Sequence, residues 1–438
     1  MPFKPPFTPT SELPLRMVRG EGCYLYDDEG NRYLDSFASI CSVALGHGRA
    51  DLVEAGLAQA REVGYSQMWN FRNKPAEDLA AFIAERAPEG MDRVFFTSGG
   101  SEAVESAIKL ARQYFRLRGK PSKTKMVARR TAYHGTTMGA LSLTGLTPIR
   151  TPYEPMLGGA RHVPNTNTYR LEEGLDPSWY AEEIRRQILA EGPDTVAAVF
   201  LEPVQNAGGC IPPPDGYFKR VREICDELDV LLVSDEVICA WGRLGDWFGA
   251  GRLGYQPDLI TAAKGLTSGY APLGALVVSK KIAEAFAAGS TPFLHGYTFS
   301  GHPVVCAIGL AASRAMEEEN VLENVRVHED RLSEILARLR DIPIVGDSRG
   351  MGYFQALEFV KDKSTKTSFR PDEAIALTQR ITALSLEHGM IARSDVRGEP
   401  VLQVALPLIA GDAELDELAG ILERVLTQVS DEFTGGRG

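Results

Sequence analysis

The strongest constraint on the fold is an alternation of two patterns between residues 93 and 279. Short apolar runs alternate there with amphipathic helical stretches such as residues 102–119 and 216–229. The runs are RVFFT (93–97), KMVARR (125–130), TVAAVFLEPV (195–204), VLLVSDEV (230–237), DLITAAK (258–264) and GALVVS (274–279). This alternation predicts an α/β fold, a mostly parallel sheet with helices on both faces. Ligands of such sheets bind beyond the carboxyl ends of the strands, so polar residues there are the first candidates for a site.

The segments on either side of this core have a different pattern. Residues 22–37 predict an antiparallel hairpin with its turn at residues 28–31. A long helical pattern at residues 323–341 leads into an α+β third of the chain. At about 150 residues per domain, the length allows roughly three units. We interpret them as an N-terminal arm with part of a small domain (1–60), a large domain (61–325) and the C-terminal part of the small domain (326–438). The proline-rich start of the chain predicts an extended arm.

The composition excludes several classes of protein. With 47 Lys and Arg against 58 Asp and Glu, the net charge is −11, which does not suit a surface that holds nucleic acid. No run approaches the ~20 apolar residues that span a bilayer. The six cysteines have no CxxC spacing, and the seven histidines show no metal-ligand spacing. We therefore expect a cytoplasmic protein without a metal, a nucleic-acid partner or a membrane partner.

Two of the predicted strands are followed by segments that suit an aromatic phosphate ligand. Gly100 and Ser101 open the first long helix, where backbone N–H groups and the helix N-terminus favour an anion. Ser101 fits an ordinary N-cap equally well. The next strand is followed by Tyr133, His134 and Gly135. A tyrosine there can stack on a planar ring or belong to the core.

Three charged residues end apolar runs: Glu202, Asp235 and Lys264. A buried carboxylate is costly unless it is paired, so each acid should have a partner or a function. Burial lowers the pKa of a lysine and keeps its amine nucleophilic, which suits a Schiff base, although a surface lysine is the alternative. A phosphate cup, a stacking face, an acid and a lysine together suit pyridoxal phosphate, whose ring nitrogen needs the acid and whose aldehyde needs the lysine.

The segments FFTSGGSEAVESAIKLAR, AYHGTTMGALSLTG, LEPVQNAGG, LLVSDEVICAWGRLG, PDLITAAKG and HGYTFSGHPVVCA resemble the class III (ω-type) aminotransferases, in the fold type I group of pyridoxal-phosphate enzymes. The resemblance covers nearly the whole chain. It implies that Lys264 binds the cofactor's aldehyde, that Asp235 pairs with its ring nitrogen and that Tyr133 stacks on the ring. Further cofactor contacts are expected from Gly100, Ser101, His134, Gly135, Glu202, Gln205 and Val237. Thr298 is expected to reach the cofactor of a second subunit, which implies a homodimer, or a tetramer built from it, with shared sites.

Departures from the family pattern indicate the branch. Ala207 stands where the ornithine and γ-aminobutyrate branches have a glutamate that gates an arginine, so the chain resembles the amine:pyruvate and ω-amino acid:pyruvate branch. The arginine for the substrate's carboxylate is then Arg393, with Arg397 as the second candidate. Cys41 stands where that branch often has tryptophan, so we expect Cys41 or Trp69 at the wall of the substrate pocket.

The expected function is transfer of an amino group from an ω-amino acid or primary amine to a keto acid, with pyruvate as the expected acceptor and a ping-pong mechanism. The alternatives on the same scaffold are a dialkylglycine-type decarboxylase, an aminomutase and an epimerase; Gln205 and Arg393 favour transamination. Residues 249–254 match the dinucleotide-binding pattern GxGxxG, but they follow no long strand and open no long helical pattern.

Overall fold

The computed structural model describes residues 15–289 and 291–434. Its strands are β1 (Met17–Glu21), β2 (Tyr24–Asp27), β3 (Arg32–Asp35), β4 (Met91–Thr97), β5 (Lys125–Arg129), β6 (Ala160–Val163), β7 (Val196–Leu201), β8 (Leu231–Asp235), β9 (Leu259–Ala262), β10 (Gly274–Ser279), β11 (Val345–Met351), β12 (Phe354–Phe359), β13 (Met390–Ile391), β14 (Arg393–Asp395) and β15 (Val401–Val404). Its helices are α1 (Ala38–Cys41), α2 (Ala50–Glu62), α3 (Lys74–Arg86), α4 (Gly100–Leu117), α5 (Met138–Leu143), α6 (Thr147–Arg150), α7 (Trp179–Glu191), α8 (Tyr217–Glu227), α9 (Gly249–Leu253), α10 (Lys280–Ala288), α11 (Pro303–Glu318), α12 (Val321–Arg338), α13 (Pro371–Glu387) and α14 (Asp412–Thr434).

The central sheet has seven strands in the order β4-β10-β9-β8-β7-β5-β6. Strands β6, β5, β7, β8 and β9 are parallel, whereas β10 is antiparallel to both of its neighbours. The predicted α/β fold with a mostly parallel sheet is confirmed, and each of the six predicted runs contains a strand. The edge strand β6 was not predicted, because Arg161 and His162 interrupt its apolar pattern. All six residues of β7 are buried, as expected for a strand that is covered on both faces.

The amphipathic pattern at residues 102–119 forms the helix α4, which lies against this sheet. Its buried face includes Val104, Ala107, Ile108, Ala111 and Phe115, spaced three and four residues apart. That spacing places the apolar side chains in one stripe toward the strands. The helix and the sheet thereby fix the backbone at the N-terminus of α4, which faces the carboxyl ends of the strands.

The first three strands and a short strand from the C-terminal third of the chain form one small sheet, in the order β1-β2-β3-β13. The predicted hairpin at residues 22–37 is present as β2 and β3, which flank residues 28–31. Strand β13 pairs in parallel with β3, with Met390 opposite Leu34. The third sheet has the order β11-β12-β15-β14. The predicted domain limits, after residues 60 and 325, stay a prediction. They fall inside the helices α2 and α12.

Helix α1 is a single left-handed turn. The φ angles of Ala38, Ser39, Ile40 and Cys41 lie between 42° and 66°, although none of these residues is glycine. Backbone hydrogen bonds close the turn from Cys41 N to Phe37 O and from Ser42 N to Ala38 O, each 2.8 Å long. Left-handed backbone is unfavourable for L-residues, so the surrounding fold must impose this conformation.

Two expectations concern the limits of the described chain and its helices. Residues 1–14 of the predicted proline-rich arm lie outside the residues that the structure describes. No helix within residues 15–289 and 291–434 combines the length and the apolar character that a membrane crossing requires.

Candidate functional site

A cavity of about 840 Å³ lies at the carboxyl ends of the parallel strands. Ten of the predicted site residues line it: Gly100, Ser101, Tyr133, His134, Gly135, Glu202, Asp235, Val237, Lys264 and Arg393. They come from segments that follow β4, β5, β7, β8 and β9 and from β14, so residues far apart in the sequence share one pocket. Arg397, the second candidate for the carboxylate ligand, also lines this cavity.

Lys264 follows β9 and begins a short turn with a φ of 44°. Part of its surface is open to the cavity, and burial of the side chain lowers its pKa below the usual range. The thiol of Cys41 and then the carboxylate of Asp235 oppose this shift by favouring the charged form. A lowered pKa increases the fraction of neutral amine, which is the form that acts as a nucleophile and as a base.

Asp235 is the last residue of β8, and donors hold both of its carboxylate oxygens. His134 Nδ1 lies 2.6 Å from Oδ2, and Thr261 Oγ1 donates to Oδ1 at 2.9 Å. Both His134 and Asp235 are buried, and His134 Nε2 has no hydrogen-bond partner among the described residues. Thr261 was missed in the sequence, although it lies opposite Asp235 on the neighbouring strand β9. The arrangement fixes the carboxylate in a position where it can face a ring nitrogen.

The N-terminus of α4 forms a cradle with little spare room. Its N-cap is Gly99 without a side-chain cap, so the alternative that Ser101 is the N-cap is wrong. Ser101 Oγ instead accepts a hydrogen bond from Thr136 N at 3.2 Å. A Cβ at Gly135 would come 2.5 Å from Ser101 Oγ, and a Cβ at Gly100 would come 2.8 Å from a methyl of Val237. Glycine is therefore needed for this close approach, which leaves backbone N–H groups for an anion.

Glu202 fixes the backbone on the opposite side of the cavity. Its Oε1 accepts from Tyr133 N at 3.3 Å and its Oε2 accepts from Asn206 N at 2.9 Å. Burial raises the pKa of Glu202 above its usual range. Asn206 also lines the cavity and was not predicted, because nothing in the sequence shows that its loop turns back toward the sheet. Gln403 Nε2 donates to the carbonyl of Asn206 at 2.7 Å and so ties this loop to β15.

The structure does not bring Gln205 or Cys41 to the cavity wall. The Nε2 of Gln205 donates to Ala207 O at 3.0 Å, and the whole side chain is buried beneath the loop. Cys41 is buried in an apolar cluster with residues such as Phe37 and Val204, because the left-handed turn α1 directs its side chain inward. The wall is formed instead by other residues of the same segment: Ser39, Ile40, Ser42 and Val43.

Trp69 and Thr298 also lie away from this cavity, on the exposed surface. Trp69 is 62% exposed and its ring packs against the backbone of Gly296. Thr298 accepts a hydrogen bond at its carbonyl from Tyr65 Oη at 2.6 Å. Neither side chain can serve the cavity of its own chain in this position.

The two candidate arginines share one partner. Arg393 Nε lies 3.1 Å from Asp395 Oδ2, and Arg397 Nη2 lies 2.8 Å from the same oxygen. Burial alone would raise the pKa of Asp395, but the guanidinium groups of Arg397 and Arg393 outweigh it, and the pKa lies below the usual range. This bridge was not predicted, because nothing in the sequence distinguishes Asp395 from an ordinary acidic residue in a loop.

Comparison with known proteins agrees with this geometry. The family model described as aminotransferase class-III matches residues 8–426. A probable aminotransferase of Mycobacterium tuberculosis is 52% identical over 95% of this chain and 90% of its own length. A putrescine–pyruvate aminotransferase of Pseudomonas aeruginosa is 38% identical over 97% and 94%. The ω-transaminase of Pseudomonas jessenii, solved in complex with PMP, superposes with a TM-score of 0.92 at 34% identity, over 97% of this chain and 94% of that one.

The residues of the cavity fit pyridoxal phosphate. The uncapped first turn of α4 and its glycines suit the phosphate, the fixed carboxylate of Asp235 suits a ring nitrogen, and Lys264 suits the aldehyde. These features belong to one cavity and to one matched family model over nearly the whole length. The chain belongs to the class III aminotransferases, which are fold type I transferases that depend on pyridoxal phosphate.

Proposed function

We propose that this aminotransferase takes an amino group from a primary amine or ω-amino acid and gives it to pyruvate. One observation carries the proposal: a lysine with a lowered pKa and two arginines line the same cavity. The lysine serves the chemistry at the amine, and the arginines serve a carboxylate in the same pocket. The similarity to a putrescine–pyruvate aminotransferase supports both the donor class and the acceptor.

Bound pyridoxal phosphate supplies an aldehyde for the amine and a ring that accepts electrons. Asp235 stabilises a proton on the ring nitrogen, because its carboxylate is held by His134 and Thr261 and cannot turn away. Lys264 Nζ acts as the base that removes the proton from the amine-bearing carbon of the donor. Its lowered pKa supports this role, since only the neutral amine accepts a proton.

Arg393 and Arg397 bind the carboxylate of the acceptor. A guanidinium donates two parallel hydrogen bonds to a carboxylate, which fixes the orientation of the keto group as well as its position. Both side chains line the cavity that contains Lys264. An uncharged amine makes no such contact, and the pair then stays on Asp395.

The enzyme is proposed to work as a homodimer with shared sites, with a tetramer as a further assembly. Thr298 lies in an exposed surface that also carries Trp69, Phe71, Leu294 and Phe299, each more than half exposed. Exposed apolar surface of this kind is typical of an interface, and a second copy would cover it. Thr298 would then reach the phosphate of the partner's cofactor.

We place the enzyme in the cytoplasm. All six cysteines lie within the described residues, and each is free and buried. Free thiols are typical of a reducing compartment.

The test is a panel of donors with pyruvate: taurine, β-alanine, putrescine, 1-phenylethylamine and γ-aminobutyrate. We expect alanine to form from pyruvate with at least one donor, with parallel double-reciprocal plots, as a ping-pong mechanism requires. Release of CO₂ from a dialkylglycine without net amino transfer from any of these amines would overturn the proposal in favour of the decarboxylase. The yield of alanine and of CO₂ from the same incubations separates the two outcomes.

A further inference from the structure

The carboxylate of Asp395 is held by two arginines at once. Its Oδ2 lies 3.1 Å from Arg393 Nε, 3.0 Å from Arg397 Nε and 2.8 Å from Arg397 Nη2. Its Oδ1 accepts from the backbone N–H of Arg397 at 3.0 Å. The acid therefore has a fixed orientation and lies behind the two guanidinium groups that line the cavity.

The charges of this cluster do not cancel. Two guanidinium groups carry two positive charges, and Asp395, whose pKa is lowered, carries one negative charge. Within the part of the chain that the structure describes, Asp395 is the single acidic partner within 4 Å of either guanidinium. The neutral amide of Gln403 makes the remaining polar contact, 3.5 Å from Arg397 Nη2. One positive charge is left over at the wall of the cavity.

A second cavity, of about 390 Å³, lies on the other side of Arg393 and includes Asp35 and Asp395 in its lining. Within the described residues, Asp35 forms no ion pair with either arginine, so the direct charge contacts of the two guanidinium groups are those with Asp395. Asp35 Oδ2 accepts from Ser39 Oγ at 2.8 Å and lies 3.0 Å from His47 Nε2.

We propose that Asp395 makes the enzyme selective for acceptors with one carboxylate over those with two. One carboxylate neutralises the remaining positive charge of the arginine pair. A second carboxylate would add an unbalanced negative charge to a partly buried cluster, where a charge without a partner is costly. This inference rests on the proposed role of the arginines in binding the acceptor, and it adds the substrate class that they accept.

Equilibrium binding of unreactive carboxylates to the holoenzyme tests the inference without turnover. Propionate stands for the monocarboxylates and glutarate for the dicarboxylates, with affinities measured by titration calorimetry. The Asp395→Asn variant keeps the shape of the side chain and leaves two positive charges uncompensated. We expect the affinity for glutarate relative to propionate to rise about tenfold in this variant, since one charge-assisted contact is worth about one order of magnitude.

The matched control is Asp372→Asn, which makes the same chemical change in an exposed acid that pairs with Arg370. It should leave the ratio unchanged. A wild-type enzyme that binds glutarate as tightly as propionate, or a ratio that Asp395→Asn does not raise, overturns the proposal. Failure of the proposed function has a different signature, because the wild-type enzyme would then form no alanine from pyruvate with any donor.

A second pair of variants covers the case in which Asp395→Asn does not fold. Arg397→Gln removes one positive charge, so propionate should bind about tenfold more weakly than to the wild type. The double variant with Arg397→Gln and Asp395→Asn restores one net positive charge, so propionate affinity should recover most of that loss. A double variant no better than Arg397→Gln alone contradicts the charge balance.

Discussion

His134 Nδ1 lies 2.6 Å from Asp235 Oδ2, and both side chains are buried at the end of the central sheet. Thr261 holds the other carboxylate oxygen, so Asp235 is fixed on two sides. The backbone N–H of Val237 also donates to Oδ1, at 3.3 Å, so among the described residues His134 alone contacts Oδ2. On the proposed function, in which Asp235 faces the ring nitrogen of the cofactor, His134 keeps that carboxylate in position.

Replacing His134 by alanine should weaken cofactor binding. Loss of a hydrogen bond to a buried charge costs about 1.5–3 kcal/mol, so the Kd for pyridoxal phosphate should rise at least about tenfold. Titration of the apoenzyme, followed by the visible absorbance of the bound cofactor, measures this value. His162→Ala is the matched control, because His162 is also largely enclosed but bonds to the carbonyl of Leu143 outside the cavity. Equal losses in both variants would contradict a positioning role for His134.

Borohydride reduction should attach the cofactor to Lys264 and to no other lysine of the chain. Lys123 is the internal comparison, since burial lowers its pKa as well. Its Nζ donates to backbone carbonyls, among them Pro193 O at 2.8 Å and Asp229 O, and it lies outside the cavity. Peptide mass spectrometry should find the label on the Lys264 peptide alone. The Lys264→Ala variant should lose turnover while it still binds the cofactor weakly; full activity in that variant contradicts the assignment.

Glu236 predicts a pH dependence of stability that is separate from catalysis. Burial raises its pKa to about 7 from 4.5, while Ser234 Oγ and the N–H groups of Gly249 and Ala250 donate to it. The folded state therefore retains a proton that the unfolded state releases above pH 4.5. The stability that this proton supports is complete below pH 4.5 and is lost as the pH rises through about 7.

The Glu236→Gln variant has an uncharged amide at this position, which does not titrate. Its free energy of unfolding should fall furthest below that of the wild type near pH 5, and the gap should narrow by about 3 kcal/mol toward pH 8, at about 1.4 kcal/mol per pKa unit. Urea denaturation of the two proteins at several pH values measures the gap. A difference in the free energy of unfolding that stays constant between pH 5 and pH 8 would contradict the prediction.

Mixed dimers test whether the sites are shared. Coexpression of a Lys264→Ala chain with a Thr298→Asp chain should restore about one quarter of the wild-type activity, because half of the dimers are hybrids and each has one intact site. Coexpression of Lys264→Ala with Asp235→Ala is the control, since both changes affect the chain's own cavity and leave every site defective. No recovery in the first mixture would show that Thr298 serves no partner.

The polar site residues at the strand ends could be predicted from the sequence because each follows a buried apolar run. Lys264 and Asp235 come directly after such runs, and parallel strands bring their carboxyl ends to one edge. The partners of these residues could not be read in the same way. Thr261 contacts Asp235 through the register of two neighbouring strands, and Asn206 reaches the cavity through a loop that β15 holds in place.

The direction in which some side chains point could not be predicted from the sequence. Cys41 was expected at the pocket wall, but the left-handed backbone of its turn places Ile40 there instead. The segment ASIC does not predict positive φ angles, because these angles usually occur at glycine or asparagine. Asp395 lies two residues from both Arg393 and Arg397, a spacing that places side chains on one face of an extended segment, but these polar residues show no strand pattern in the sequence.

The left-handed turn Ala38–Cys41 contains a residue, Ile40, at which a substitution can widen the pocket. Ile40 has a φ of 66°, is 58% exposed and lies in the lining of both cavities. Glycine normally weakens a fold through its chain entropy, but at a left-handed position it relieves about 1–2 kcal/mol of steric cost. Ile40→Gly would therefore enlarge the space for a bulky donor without the loss of stability that usually accompanies a widened pocket.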